Sequence, residues 1–188
     1  MRCAWTGLAA PIVLVGVFTI EGALRPGYSA LAMYVSALSL GPRGWIQITS
    51  FVVTGALVLA FAACNARRSR VGSILLAVIG AGILASGPFV MDPMGTPRAT
   101  WTMHGLVHQL LGALVFMLMP ITCWVFARGA RGAFRVWCAS SGVVILLAII
   151  GLKMAPLAPA FGAIQRVALV TFFAWVFSLA AAARSCDW

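Results

Sequence analysis

The chain is 188 residues long, 63% hydrophobic and 9% charged, with a mean hydropathy of +1.06. That composition excludes a soluble enzyme, a secreted disulfide scaffold and a transcription factor. Thirteen Lys and Arg stand against three acids (Glu21, Asp92 and Asp187), a net charge of +10; because the cations sit in short turns between apolar runs, the excess reads as membrane topology and attraction to anionic headgroups, not nucleic-acid binding.

A bilayer core about 30 Å thick needs about 20 apolar residues in helical form. Six runs approach that length: Leu8–Ile20, extending toward Trp5 and Glu21, then Trp45–Cys64, Val71–Val90, His104–Ala127, Gly132–Leu152 and Phe161–Ala183. Barrel strands would be shorter and strictly alternating, whereas these runs are continuous and rich in Leu, Ala, Val and Gly. The expected fold is an all-α integral membrane protein, one domain over residues 1–188, built as a six-helix transmembrane bundle.

After the first span, Leu31, Tyr34, Val35 and Leu38 follow helical spacing inside residues 29–40, a stretch too short and serine-rich to cross the bilayer. It is expected to lie along the outer interface as a short lid, between the breakers Pro26–Gly27 and Gly41–Pro42. In the third span Gly80, Gly82 and Gly87 beside Ala81, Ala85 and Ser86 predict close helix packing. The scattered methionines read as core filling.

Six spans place Arg2, Arg67, Arg68, Arg70, Arg128, Arg131, Arg135 and Arg184 on one side and only Arg25, Arg43, Arg98 and Lys153 on the other. The positive-inside rule then predicts both termini in the cytoplasm, in a multi-pass protein of the bacterial inner (plasma) membrane. Cys3, Cys64, Cys123, Cys138 and Cys186 fall near the same side, so free thiols are expected. Trp45 and Trp101 on the outer side, with Trp5, Trp124, Trp137 and Trp188 on the inner, match aromatic belts. The first run behind Arg2 has the outline of a signal peptide, but its removal would leave an odd number of spans and break the charge and cysteine patterns.

Polar residues collect toward the outer half. Glu21 ends the first span, Gln47, Ser50 and Thr54 form an i, i+3, i+7 stripe on the second, and Asp92 follows the third. His104 and His108 open the fourth, Lys153 ends the fifth, and Gln165 and Arg166 lie early in the sixth. An unpartnered polar group in hydrocarbon costs several kcal/mol, so this common depth predicts an outward-opening polar cavity.

His104 and His108 stand one turn apart on one helix face, the spacing at which two imidazoles share a metal or a substrate. The same spacing suits two histidines bonding to carbonyls of the preceding loop. Zinc would need a third ligand, for which Asp92 or Glu21 is at hand; haem would need Met91, Met94 or Met103. No metal and no cofactor is predicted. Asp92 reads either as a turn or cap carboxylate or as an acid near the histidines. An Arg inside a span costs about 2.5–3.5 kcal/mol on insertion scales; Arg166 either snorkels, pairs with Asp92 or Glu21, or binds a ligand.

Several of these stretches occur together in one order: Arg25-Pro26-Gly27-Tyr28, the Gly41–Trp45 turn, Gly87-Pro88-Phe89-Val90-Met91-Asp92-Pro93, His104-Gly105-Leu106-Val107-His108, and Gln165-Arg166. In this the chain resembles, over nearly its whole length, the bacterial integral-membrane family catalogued as domain of unknown function 998. The resemblance implies a six-helix membrane protein in which the acid, the two histidines and the late arginine recur as a set, here Asp92, His104, His108 and Arg166. It implies no particular reaction. Where the family's aspartate loop has a Phe-Pro-x-Asp character, this chain reads Phe89-Val90-Met91-Asp92.

The leading functional expectation is acid–base chemistry (isomerisation, cyclisation or hydrolysis) on an amphipathic or isoprenoid-like lipid, with Asp92, His104, His108 and Glu21 as candidate catalytic groups. Arg166, Gln165, Gln47, Ser50, Tyr28 and Trp101 are the candidate substrate-binding residues. A non-catalytic lipid-binding or accessory membrane protein is the first alternative, a metal- or haem-binding membrane protein the second. The expected partner is membrane lipid or a lipid-like small molecule, with no nucleic acid; the sequence defines no oligomeric state.

Overall fold

The computed structural model describes residues 4–185. Among these, the regular structure is helical: α1 (Ala4–Leu24), α2 (Gly44–Asn65), α3 (Arg70–Ala85), α4 (Met103–Gly129), α5 (Gly132–Gly151) and α6 (Phe161–Ser185), joined by short turns and three 3-10 segments. Five helical stretches are long and apolar enough to cross a membrane; α3, at 16 residues, is a shorter apolar helix. The chain is therefore a polytopic helical membrane protein.

Each helix packs against its sequence neighbours, and α6 returns to α1, closing a six-membered ring. Neighbours run antiparallel. Near the start of α1, Gly7 meets Phe61 late in α2 and Ala180 late in α6, while at the other end Glu21 pairs with Arg43 just before α2. One end of the ring, here the upper end, carries residues 25–43, 86–102 and 152–160; the other carries the arginine-rich turns after α2 and α4.

Packing between spans in lipid depends on close van der Waals contact, because the tails are as apolar as leucine. The α2–α3 crossing uses glycine for this. A Cβ on Gly55 would sit 2.4 Å from the Leu84 nitrogen, and one on Gly80 would sit 2.9 Å from that of Leu59. The lower half of the ring is filled by aromatic side chains: Trp175 is fully buried, edge-on to Phe126 at 5.4 Å, and its indole donates to Cys138 Sγ at 3.2 Å. α3 stops at Ala85, before the predicted Val90, because Pro88 cannot donate a helical bond and disfavours helix at Gly87. Ser86 closes its last turn by donating to the Gly82 carbonyl at 2.8 Å.

The short helix expected after the first span is a five-residue 3-10 helix, Val35–Ser39, at the upper end of the ring, and its residues are buried. Gln165 of α6 accepts from the Val35 amide at 2.7 Å, so the segment enters the mouth of the ring as a plug. One expectation is corrected: Cys64 is not a free thiol but disulfide-bonded. Cys123 and Cys138 are free and buried. Arg2, Cys3, Cys186, Asp187 and Trp188 lie outside the described residues, as does the side chain of Arg184.

Candidate functional site

α4 and α5 are tied together at their lower ends, where the Trp124 indole donates to the Ala139 carbonyl at 3.2 Å. Toward the upper end lies a cavity of about 730 Å³, walled chiefly by α4, with Leu14 of α1, Phe51 of α2, Ile83 of α3, Ile149 of α5 and Leu169 of α6, and roofed by the Val35–Ser39 plug and the loop before α4. Gly112 stands in its wall with nothing within 4 Å of where a Cβ would be. Leu106, Leu110 and Met117 on the rim are exposed at 41%, 62% and 60%, so the cavity opens through the side of the bundle. Leu106 and Met117 lie eleven residues apart, about 16 Å along the helix.

Polar and apolar walls separate along that axis. Arg98, Trp101, Tyr34, Ser36, His108, Gln109, Lys153 and Gln165 line the upper part; Val115, Phe116, Met117, Ile149 and Leu169 line the lower. His108 is 7% exposed, and its Nδ1 lies 2.7 Å from the Phe89 carbonyl. A carbonyl only accepts, so Nδ1 carries the proton. Burial pushes the Tyr34 phenol above its ordinary range.

A smaller recess adjoins the cavity through Tyr34, Met91, Trp101 and Gln109, and Asp92 lines it. Both Asp92 oxygens are engaged by Thr102: Oδ2 accepts from the amide and Oδ1 from the hydroxyl, each at 2.9 Å. Thr102 Oγ1 in turn accepts from the Gly105 amide at 3.0 Å. The pair closes the N-terminus of α4, where a carboxylate is favoured by the exposed amides and the helix dipole. A Cβ at 105 would lie 1.9 Å from Asp92 Oδ2, so a larger residue there must displace the carboxylate. His104, one turn before His108, is exposed and tilts against the Phe89 ring at 5.6 Å.

The other sequence-predicted residues are placed elsewhere. Glu21, 3% exposed, is held by two arginines: Arg25 donates from Nε at 3.1 Å and Nη2 at 2.8 Å, and Arg43 from Nε at 3.0 Å and Nη2 at 2.5 Å. Arg25 also donates to the Leu40 carbonyl at 2.7 Å, so this ion triad ties the plug segment to the end of α1. Arg166 does the same from α6. Its Nη1 donates to the carbonyls of Ala30 at 2.7 Å, Met33 at 3.0 Å and Gly162 at 2.9 Å, its Nη2 bonds the Tyr28 hydroxyl, and its guanidinium lies 5.6 Å from the Phe18 ring centre. Tyr28 donates onward to the Tyr34 carbonyl at 3.0 Å. Burial raises the Tyr28 phenol above its ordinary range, with Arg166 opposing the shift.

The expected joining of Arg166 to Asp92 and the histidines is thus absent. Arg166 finds its acceptors among backbone carbonyls of the plug segment, and its side lines only a shallow outer groove. Glu21 and Tyr28 line neither the cavity nor the recess. Gln47, Ser50 and Thr54 share a face of α2 but are sealed in the bundle, at 0%, 3% and 0% exposure, with no hydrogen-bond partner for any side-chain polar atom. Among the described residues, no three of His, Cys, Asp and Glu come together as a metal would require.

Of the candidates, the cavity therefore holds His108, Gln165 and Trp101, with Asp92 next door. Sequence reasoning placed Lys153 at the depth of the cavity without naming it a binding residue, and missed Arg98, Gln109 and Tyr34 as lining residues. Gln109, a polar residue inside an apolar span directly after His108, carried a usable signal; Arg98 looked like an ordinary loop cation.

A ring of antiparallel spans with a side-opening, amphipathic cavity near one end defines a class of small polytopic membrane proteins. The chain belongs to the protein family of unknown function DUF998, whose model matches residues 8–182. No curated protein and no solved structure matches it.

Proposed function

We propose that this protein binds a lipid-like amphiphile, which enters from the bilayer between α4 and α5. The observation that carries this reading is the 730 Å³ cavity with hydrogen-bonding groups toward the upper end, a hydrocarbon-lined lower end and an exposed flank. Ligand sites of this kind are mostly apolar with a few convergent polar groups, and a side opening lets a chain slide in without leaving hydrocarbon. Of the two lipid readings, non-catalytic binding is the better supported. Acid–base chemistry would need an acid and a base converging on one atom, whereas Asp92 is occupied by Thr102 and Glu21 by two arginines. His108 is the one imidazole lining the cavity, and a catalytic version of the reading rests on it.

The orientation that goes with this reading puts the cavity on the outer side of the bacterial inner membrane. Its support is the arginine distribution, which is heavier in the turns at the end opposite the cavity.

The test is cavity filling. Gly112→Phe places a ring where a Cβ meets nothing, and glycine removal in mid-helix is favourable by up to about 1 kcal/mol. A photoactivatable fatty amphiphile should label the residues of α4 and α5 that border the cavity in the wild-type protein, and Gly112→Phe should lose that labelling while keeping its unfolding temperature. Equal labelling of both proteins at these residues would overturn the reading.

A further inference from the structure

The charge of the cavity is one-sided. Arg98 and Lys153 both line it, while the two ion pairs formed among the described residues both belong to Glu21, outside it. Asp92, the acid nearest the cavity, already accepts two hydrogen bonds from Thr102. The remaining polar groups also lean toward donation. Gln165 gives its oxygen to the Val35 amide, leaving its NH2 as the group for a ligand. Arg98 lies over the Trp101 ring, 5.7 Å from its centre, a contact made through the ring's π-face that leaves guanidinium N–H groups to donate to an anion. Lys153 follows the C-terminus of α5, the helix end that favours a cation.

Resting on the amphiphile reading above, we propose that the ligand's head carries a net negative charge, held between Arg98 and Lys153 with Gln165 as a neutral donor, while its chain lies along Leu110, Phe116, Met117, Ile149 and Leu169. Two cations lining a cavity that no carboxylate lines attract an anion and disfavour a cationic or zwitterionic head of similar size. The apolar wall gives the hydrocarbon part its share of the binding, so a head alone is insufficient.

The experiment uses the full chain in phosphatidylcholine nanodiscs and measures competition against the photoactivatable amphiphile. The probes are dodecyl phosphate, dodecylphosphocholine, dodecyl maltoside and inorganic phosphate. Dodecyl phosphate should compete at concentrations about tenfold below dodecylphosphocholine, a difference typical of one added charge contact, and the gap should narrow with salt. Inorganic phosphate should not compete. Arg98→Gln combined with Lys153→Gln should abolish the preference, whereas Arg67→Gln, at the other end of the bundle, should leave it intact. Equal competition by the phosphate and phosphocholine probes, or a preference that survives the double substitution, would refute the anionic head while leaving the cavity reading standing. Competition by inorganic phosphate at the same concentration would replace it with a free-anion site. Absence of labelling at the cavity in the wild-type protein would remove the amphiphile reading itself.

Discussion

Replacing Arg166 separates a structural staple from a ligand contact. Its guanidinium makes three bonds to carbonyls and one to the Tyr28 hydroxyl, and two of those carbonyls, Ala30 and Met33, belong to the plug segment some 130 residues away in sequence. A hydrogen bond to a charged group contributes about 1.5–3 kcal/mol net, and bonds that share one side chain do not add fully. Arg166→Met removes the three long-range bonds and leaves the Ala30 carbonyl without its donor, so the expected loss is about 3–5 kcal/mol, or roughly 6–20 °C in unfolding temperature for a chain of this size. Arg166→Lys keeps the charge but cannot reach the carbonyls and the phenol together, and should lose about half as much. Tyr28→Phe should cost about 1–2 kcal/mol alone and little more when combined with Arg166→Met, because both remove the same link. Thermal unfolding in nanodiscs reads all four proteins. If Arg166→Met unfolds within about 2 °C of wild type, a shift near 0.5 kcal/mol, the staple account is refuted and Arg166 returns to the list of ligand contacts.

The sealed polar stripe on α2 gives a test by sign. Bridging water should partner Gln47, Ser50 and Thr54, so Ser50→Ala with Thr54→Val should lower the unfolding temperature; a rise would mean that the hydroxyls are truly unpartnered. At the start of α4, Asp92→Ala should cost about 0.5–2 kcal/mol as a lost cap, and Gly105→Ala should cost a similar amount by driving its Cβ into the Asp92 carboxylate. A neutral Gly105→Ala in thermal unfolding would contradict the cap geometry. For Tyr34, burial favours the protonated phenol in the folded state, so the native protein retains a proton that the unfolded chain releases near pH 10.0. Its contribution is complete below that pH and is lost as the pH rises above it; Tyr34→Phe should flatten the fall in unfolding temperature between about pH 9 and about pH 11.

The spans were legible because length and hydropathy alone decide what can cross a bilayer, and all six apolar runs became helices. The third fell short because a local rule, Gly87-Pro88, overrides hydropathy at its end. The short helix after the first span was legible from the helical spacing of Leu31, Tyr34, Val35 and Leu38, but not its anchoring by Gln165 and Arg166 from the far end of the chain, which periodicity cannot reveal. The candidate site was legible only as a depth. Glu21, Arg166, His108 and Asp92 all lie toward one end, yet three of them have protein partners that meet their charge, and nothing in a single sequence tells a satisfied ion from a ligand-binding one. Glu21 could have been paired with Arg25 from their four-residue spacing on one helix face. The carbonyls that hold Arg166 have no signature, since every residue offers one.

The most direct test of the amphiphile reading is an experimental density map of the lipid-reconstituted protein at a resolution that shows side chains. It should show elongated density along Leu110, Phe116 and Met117 of α4, ending between Arg98 and Lys153, and that density should be absent from the Gly112→Phe protein. A cavity closed by contact between α4 and α5 along their whole length, or one filled only by discrete waters, would contradict the account.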